Sequence, residues 1–443
     1  MEVDFLLINP WIYDFAAYDF WLKPYGLLSL GGKLRHLGYS IYYLDLLDPF
    51  FPELPKKPKR RNFGTGHFYK EAVPKPIQLK DIPRRFHRYG LPFSLFEKVI
   101  TQLKFKAIFI TCTLTYWYPG VFTLIEYLTK TFPEKPIYLG GIYVKLCEEH
   151  LRNFIEKYYK NYPIYIITQD LDEFIPYLQK DYSPSGKPYP VDYPIFDMQT
   201  KIPYVILMTS TGCPFKCLYC ASKILYPKYK PKNPEKVFNE ILFWHTKYGV
   251  IDFAFYDDAL LFNFDNHLKI ILEKVIEKNL KLRFHTPNGI HARFVTKEVA
   301  KLLKLAGFKT IRIGLERIET RFDNKVTVEE FLEAVNYLKS AGFKENELGA
   351  YFLYGVPEED FEEVKRGLIF LSEKRVPPYL AEYSPIPKTP LFEIAKKSSR
   401  YPLDEDPLFH NNTIFPALKK PDWEKIEEVK TLARKIRHSL INN

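Results

Sequence analysis

The chain has 443 residues, 46% hydrophobic and 17% aromatic, enough to bury the cores of two or three domains. It lacks the roughly 20 consecutive apolar residues of a membrane span, and the acidic start Met1-Glu2-Val3-Asp4 lacks a signal peptide's basic flank, so a cytoplasmic protein is expected. Five cysteines in so long a chain exclude a disulfide-stapled secreted scaffold.

The abundance of Lys, Glu, Tyr and Ile, with three Met, is a bias compatible with a thermophile. Net charge is +11, and most of it is concentrated: residues 52–106 hold 14 Lys/Arg against four Asp/Glu.

Apolar strands alternate with amphipathic helices over the first 200 residues, the pattern of a parallel α/β sheet. Strands are predicted at 3–8, 41–47, 107–111, 137–139 and 164–167, with helices at 25–37, 95–103, 118–130, 144–159 and 171–179. Five strands with intervening helices predict a Rossmann- or flavodoxin-like domain over 1–180, whose ligands bind beyond the strands' carboxyl ends. The second strand is followed by the basic insertion, 49–94. Its prolines (Pro52, Pro55, Pro58, Pro74, Pro76, Pro83 and Pro92) predict short elements.

Two readings of the insertion's charge stay open. One is a solvated surface. The other is a phosphate-handling patch, covering an interdomain cleft for a small anionic ligand or binding nucleic acid. Aromatics interleave with charge in His67-Phe68-Tyr69-Lys70 and Phe86-His87-Arg88-Tyr89, and such rings also suit base stacking.

Residues 181–200, rich in Tyr, Pro, Ser and Gly, read as a linker. A second domain is predicted over 201–390. Its strands fall at 204–208, 253–256, 283–285, 310–313, 348–352 and 380–384, and its helices at 234–248, 265–278, 296–306, 328–340 and 360–374. Six such units predict a partial (β/α)6 TIM-type barrel, with active groups at the carboxyl ends of strands. A helical C-terminal region, 391–443, follows, with Asp422 as the cap of a helix over 423–438.

The run Thr211-Gly212-Cys213-Pro214-Phe215-Lys216-Cys217-Leu218-Tyr219-Cys220-Ala221 directly follows the first of those barrel strands. It sets three thiols within eight residues. A zinc site would want four ligands in paired spacing, and the next His, His245, is too distant to serve. A 4Fe–4S cluster is usually held by four cysteines; three would leave one iron open to bind a substrate. Two cysteines remain, Cys112 and Cys147, too few for a second cluster and read as buried structural thiols.

The cysteine loop and the whole second domain resemble the radical S-adenosylmethionine (radical SAM) enzymes. The resemblance covers about 190 residues in the family's order. It implies that Cys213, Cys217 and Cys220 hold a 4Fe–4S cluster whose open iron chelates the methionine part of SAM, and that an electron from the cluster yields a 5′-deoxyadenosyl radical. Tyr219 then lies near the adenine. Tyr256-Asp257-Asp258, in place of the Gly-Gly-Glu of many members, meets the methionine amino group, a carboxylate being the natural acceptor for an ammonium. Asn288 and Arg293 bind ribose and carboxylate. Glu316, ending Ile311-Arg312-Ile313-Gly314-Leu315-Glu316, is a ribose or substrate partner, and Arg312 is either a ligand contact or a barrel-interior salt bridge. Gly349–Glu358, with Gly355, lines the adenine. His285 and Glu316 are the candidate catalytic residues, although a packed role for His285 stays open.

The first domain resembles the cobalamin-binding domain of one branch of this family, on Leu6–Pro10, Pro24–Gly38, Asp45 and Leu139-Gly140-Gly141-Ile142. Gly140 and Gly141 would let the backbone approach a bulky ligand or phosphate. The Asp-x-His-x-x-Gly loop that ligates cobalt in many cobalamin proteins is absent.

These resemblances imply a radical SAM enzyme, with methylation of an unactivated carbon through cobalamin as the leading reaction. The substrate would be a small molecule or peptide and the electron donor a ferredoxin or flavodoxin. Two alternatives stay open. In one, the first domain binds no cobalamin and holds RNA or a phosphorylated metabolite. In the other, the chain is a non-catalytic iron–sulphur protein that senses redox state or binds nucleic acid.

Overall fold

The computed structural model describes residues 1–318 and 326–442. Residues 319–325, within the predicted barrel segment, and Asn443 lie outside the described residues. The chain divides into two compact units, Met1–Pro203 with Glu405–Phe409, and Tyr204–Asp404 with His410–Asn443.

The first unit is built on strands β1 (Glu2–Asn9), β2 (Ile41–Asp45), β3 (Lys104–Cys112), β4 (Ile137–Gly141) and β5 (Ile164–Ile166). All pairings are parallel and the spatial order is β2-β1-β3-β4-β5. That order is the flavodoxin-like one, which decides between the two folds expected. Both faces of the sheet are covered, so the central strand reads as a continuous apolar run: Phe5, Leu6, Leu7 and Ile8 are fully buried. The chain reverses its winding between β1 and β3. Their carboxyl ends, at Asn9 and Cys112, flank the switch point where such folds take ligands.

Two predicted features differ. The helix expected over 144–159 is two helices, Ile142–Leu146 and Glu148–Tyr158, parted by non-helical backbone at Cys147 (φ −126°, ψ 38°). The segment expected as a linker is packed: Gly186 N–H meets the Gly38 carbonyl (2.8 Å), Tyr189 N–H meets Arg35 (3.0 Å) and Ile195 N–H meets Leu28 (3.1 Å). The insertion carries only short strands. His87–Tyr89 pairs with Ile12–Asp14 and with Lys70–Ala72, and Tyr18–Asp19 pairs with Gly66–His67.

In the second unit the strands are β6 (Val205–Leu207), β7 (Asp252–Phe255), β8 (Arg283–His285), β9 (Phe308–Glu316), β10 (Leu348–Tyr354) and β11 (Pro378–Glu382). They are parallel and lie side by side in sequence order, the partial (β/α)6 arrangement. Helices Pro234–Tyr248, Leu268–Glu277, Lys297–Ala306, Val328–Ser340 and Phe361–Glu373 connect them. The C-terminal region is less helical than expected. Between helices Pro390–Ser398 and Trp423–Asn442 it holds only short 3-10 turns, and Asp422 accepts the Lys425 N–H (3.1 Å) as the predicted cap. No helix among the described residues is long and apolar enough to cross a membrane.

Asp4 is the buried carboxylate of β1. Burial raises its pKa, but hydrogen bonds from Lys106, from Ser185 and from Ser40 outweigh that and hold the carboxyl at about 2. Because the folded value lies below the unfolded one, the associated stability is present above pH ~4 and is lost as pH falls towards 2. With Lys106 47% exposed, screening reduces the contribution to about 1–2 kcal/mol. Asp4→Asn is expected to lower stability at neutral pH by that order and to flatten the acid limb between pH 4 and 2, measured by chemical denaturation at stepped pH.

Candidate functional site

Parallel strands place all their carboxyl ends on one edge of the sheet. The cysteine loop after β6, Tyr256–Asp258 after β7, Asn288 after β8, Glu316 at the end of β9 and Gly355 after β10 therefore share one rim.

The loop 213–220 contains neither strand nor helix. Phe215 anchors it, its ring 4.5 Å from His291 and 5.8 Å from Phe294. The Leu391 N–H reaches the Leu218 carbonyl (3.0 Å), and Cys220 N–H reaches Cys217 (3.1 Å). Cys213 and Cys217 are half-buried and Cys220 is exposed, while Cys112 and Cys147 are buried in the other unit. Burial pushes the Cys112 thiol far above its ordinary value. Among the described residues no three His, Cys, Asp or Glu side chains stand close enough to hold one metal ion. A four-iron cube spaces its thiolates more widely than a single ion does. Three accessible thiols on one loop, with no fourth cysteine in this unit, are a donor set that fits such a cluster with one open iron.

The two acids after β7 separate sharply. Asp257 is buried and accepts four hydrogen bonds, from Thr209 N–H (3.1 Å), Thr209 Oγ1 (2.7 Å), Ser210 N–H (2.6 Å) and Ser210 Oγ (2.6 Å). Burial raises its pKa against the pull of those donors. His267 Nε2 lies 3.0 Å from Thr209 Oγ1; since that hydroxyl donates to Asp257, the imidazole nitrogen is the donor to it. Asp257 is thus spent on fixing the turn into the cysteine loop. Asp258 is exposed and holds only Ser222 Oγ. Burial of its carboxyl, and the neighbouring Asp257, raise its pKa. Ser222 also directs its N–H at Cys220 Sγ (3.4 Å), so one residue joins the third thiol to the available acid.

The remaining predicted residues take different partners. Tyr219 is half-buried on the loop. Asn288 is exposed and donates to the Tyr256 carbonyl (2.8 Å), bridging two strand ends. Arg293 pairs with Glu330 (2.8 Å), the capping-box acid of helix Val328–Ser340. The Arg312 guanidinium lies over the Tyr379 ring at 4.0 Å and has no carboxylate partner among the described residues, so the salt bridge weighed for it is replaced by stacking. His285 is fully buried, with Nδ1 2.8 Å from Thr310 Oγ1 and Nε2 3.1 Å from Asp252. Both ring nitrogens are engaged, which corrects its candidacy as a proton shuttle and favours the packed role.

Glu316 has φ +61°, uncommon for a non-glycine residue and a mark of functional or strained positions. Arg317, next to it, pairs with Glu359 (2.7 Å) and with Glu363, all three buried. Glu359 in turn accepts the Gly355 N–H (2.6 Å). A buried ion pair broken from one side typically costs 3–5 kcal/mol, so this network holds the ends of β9 and β10 together. Ser222, Thr209, His267 and the Arg317 network carried no sequence signal, because each acts through a partner distant in the chain.

In the first unit, Gly141 has φ +102°, and a Cβ there would lie 2.6 Å from the Cys112 carbonyl, so strand packing alone requires this glycine. A Cβ at Gly140 would meet nothing nearer than 3.9 Å, which leaves that stretch of backbone approachable. Asp45 is buried between Asn9 (2.7 Å) and Lys23 (3.8 Å), a structural tie rather than an open ligand.

Residues 207–368 match the Radical SAM superfamily. The chain therefore carries a radical SAM domain, which implies a 4Fe–4S cluster and SAM. It is 29% identical over 244 residues to a Pyrococcus horikoshii protein named as an uncharacterized methyltransferase, covering 53% of this chain and 49% of that one. It is 29% identical over 196 residues to an anaerobic magnesium-protoporphyrin IX monomethyl ester cyclase of Cereibacter sphaeroides, covering 41% and 30%. The chain thus spans half or less of the curated relatives it matches. Its fold is similar to that of the radical SAM methyltransferase TsrM from Kitasatospora setae, in a structure with cobalamin and a [4Fe-4S] cluster bound. That likeness has a TM-score of 0.61 at 14% identity, over 100% of this chain and 89% of that one.

Removing Asp257 strands four buried donors, each costing ~1–3 kcal/mol. Asp257→Ala is expected to lose at least ~3 kcal/mol in urea denaturation of the second unit. Asp258→Ala, which strands only the one hydroxyl of Ser222, is expected to cost no more than ~1 kcal/mol.

Proposed function

We propose that the protein is a radical SAM methyltransferase that places a methyl group on an unactivated carbon of a small molecule or peptide. The observation that carries this reading is the rim itself: three accessible thiols from one loop beside one unsaturated acid, in a domain that matches the superfamily. Cys213, Cys217 and Cys220 would hold the cluster, which when bound supplies the electron that cleaves SAM to 5′-deoxyadenosine. Asp258, which accepts from Ser222 alone, would accept the methionine ammonium, and Asn288, Glu316 and the backbone near Gly355 would meet ribose and adenine. A reductant such as a ferredoxin or flavodoxin would deliver the electron.

Cobalamin is the proposed methyl carrier, with the flavodoxin-like unit as its host. Support comes from the 2-1-3-4-5 strand order, from the approachable backbone at Gly140, and from the likeness to TsrM. No Asp-x-His-x-x-Gly loop is present, so the cobalt would have no histidine from that motif. The alternative with the first unit holding a different ligand rests on the same switch point.

Anaerobically reconstituted protein is expected to carry about four irons and to release 5′-deoxyadenosine from SAM under reduction. Cys213→Ala, Cys217→Ala and Cys220→Ala should each abolish both, and Cys112→Ala should leave iron content intact. Asp258→Ala should weaken SAM binding while keeping the cluster. Purification with hydroxocobalamin is expected to give one corrinoid per chain, without an imidazole nitrogen signature in cobalt paramagnetic resonance. Failure to retain corrinoid would move the first unit to the alternative.

A further inference from the structure

The charge of the basic insertion plays no part in the chemistry above, and the fold sorts it by accessibility. Arg60 turns inward onto the buried carboxylate of Asp19, and Arg88 onto Glu71. Lys56, Lys57, Lys59 and Arg61 are exposed and have no acidic partner among the described residues.

The segment is a small ribbon. Tyr18–Asp19 pairs antiparallel with Gly66–His67. On the other side of that strand, Arg60 bridges to Gly66 and the His67 N–H meets the Lys59 carbonyl at 2.9 Å. Side chains alternate across a strand, so inward Asp19 and Arg60 send their neighbours to the opposite face. There Tyr18 is 39% exposed and Phe20 55% exposed. Their rings stand 5.5 Å apart, with His67 4.9 Å from Tyr18 and the Arg61 guanidinium 5.7 Å from Phe20. Burial lowers the pKa of His67, and so do Arg61, Lys70, Lys59 and Arg60, which shows how closely the cations converge here.

We propose that this ribbon is a docking surface for single-stranded nucleic acid, with Tyr18 and Phe20 stacking on bases and Lys59 and Arg61 meeting the phosphates. Neighbouring exposed rings interleaved with unpaired cations are the combination that binds such strands without sequence preference. An acidic protein would need the cations but not the rings. A membrane surface would need a contiguous apolar face, whereas here two rings stand among exposed cations.

The test uses the full chain, kept anaerobic, with a fluorescein-labelled 12-mer of uridylate followed by anisotropy. The expected result is saturable binding with a log–log salt slope of about −0.7 per phosphate contacted. Lys59→Gln with Arg61→Gln should flatten that slope by roughly 1.4. Phe20→Ala and Tyr18→Ala should each weaken binding at least about fivefold while leaving the slope unchanged, and Phe20→Tyr should restore it. Absence of binding at about 50 mM salt overturns the proposal. So does binding that is indifferent to Phe20→Ala, which would mark a plain polyanion site that inorganic polyphosphate fills equally well. Tighter association with phosphatidylglycerol vesicles than with the oligonucleotide also overturns it, in favour of a membrane.

Discussion

The second unit depends on one constraint: six strands run in the same direction and hydrogen-bond in sequence order. A parallel ladder cannot be closed by a hairpin, so each strand needs a helical return, and every return leaves the carboxyl ends on one edge. Residues separated by well over a hundred positions, such as Cys217 and Gly355, come to one rim by strand direction. What fine positioning exists is then added by side chains. Asp257 gathers the turn before the cysteine loop, and the Arg317–Glu359 pair draws the ends of β9 and β10 together.

Much of this was legible because it is periodic or local. Helix starts carry their own caps: Asn233, Thr296, Thr327 and Asp360 each accept a backbone N–H of the helix they precede, and sequence alone places those helices within a residue. The triple-cysteine spacing is equally local. Boundaries failed where tertiary contact overrides composition. The Tyr/Pro/Ser/Gly-rich stretch near 190 looks like a linker, yet its backbone is taken up by carbonyls of the first helix. Arg400–Asp422 lies in a predicted helical tail but holds only 3-10 turns, with Pro402, Pro407, Pro416 and Pro421 denying a continuous ladder.

The site was legible by residue type but not by role. Two adjacent aspartates at a strand end are indistinguishable in the sequence, since alternation says only that they face different ways. Their fates diverge through partners supplied from elsewhere: two backbone amides and two hydroxyls for Asp257, one serine for Asp258. His285 shows the same limit. Its place on a barrel strand suggested chemistry, whereas Asp252 and Thr310 on the flanking strands β7 and β9 occupy both its nitrogens.

The glycine pair of the first unit is informative because its two members answer to different causes. Gly141 is required by the carbonyl of Cys112 on the neighbouring strand whether or not any ligand binds, so its presence says nothing about cofactor. Gly140 has no such neighbour, and the sheet order sets the switch point at the adjacent carboxyl ends of β1 and β3. A side chain at Gly140 would therefore be tolerated by the protein itself. Any intolerance at that position must come from what the unit binds, which makes Gly140 the better reporter of ligand and Gly141 the reporter of fold.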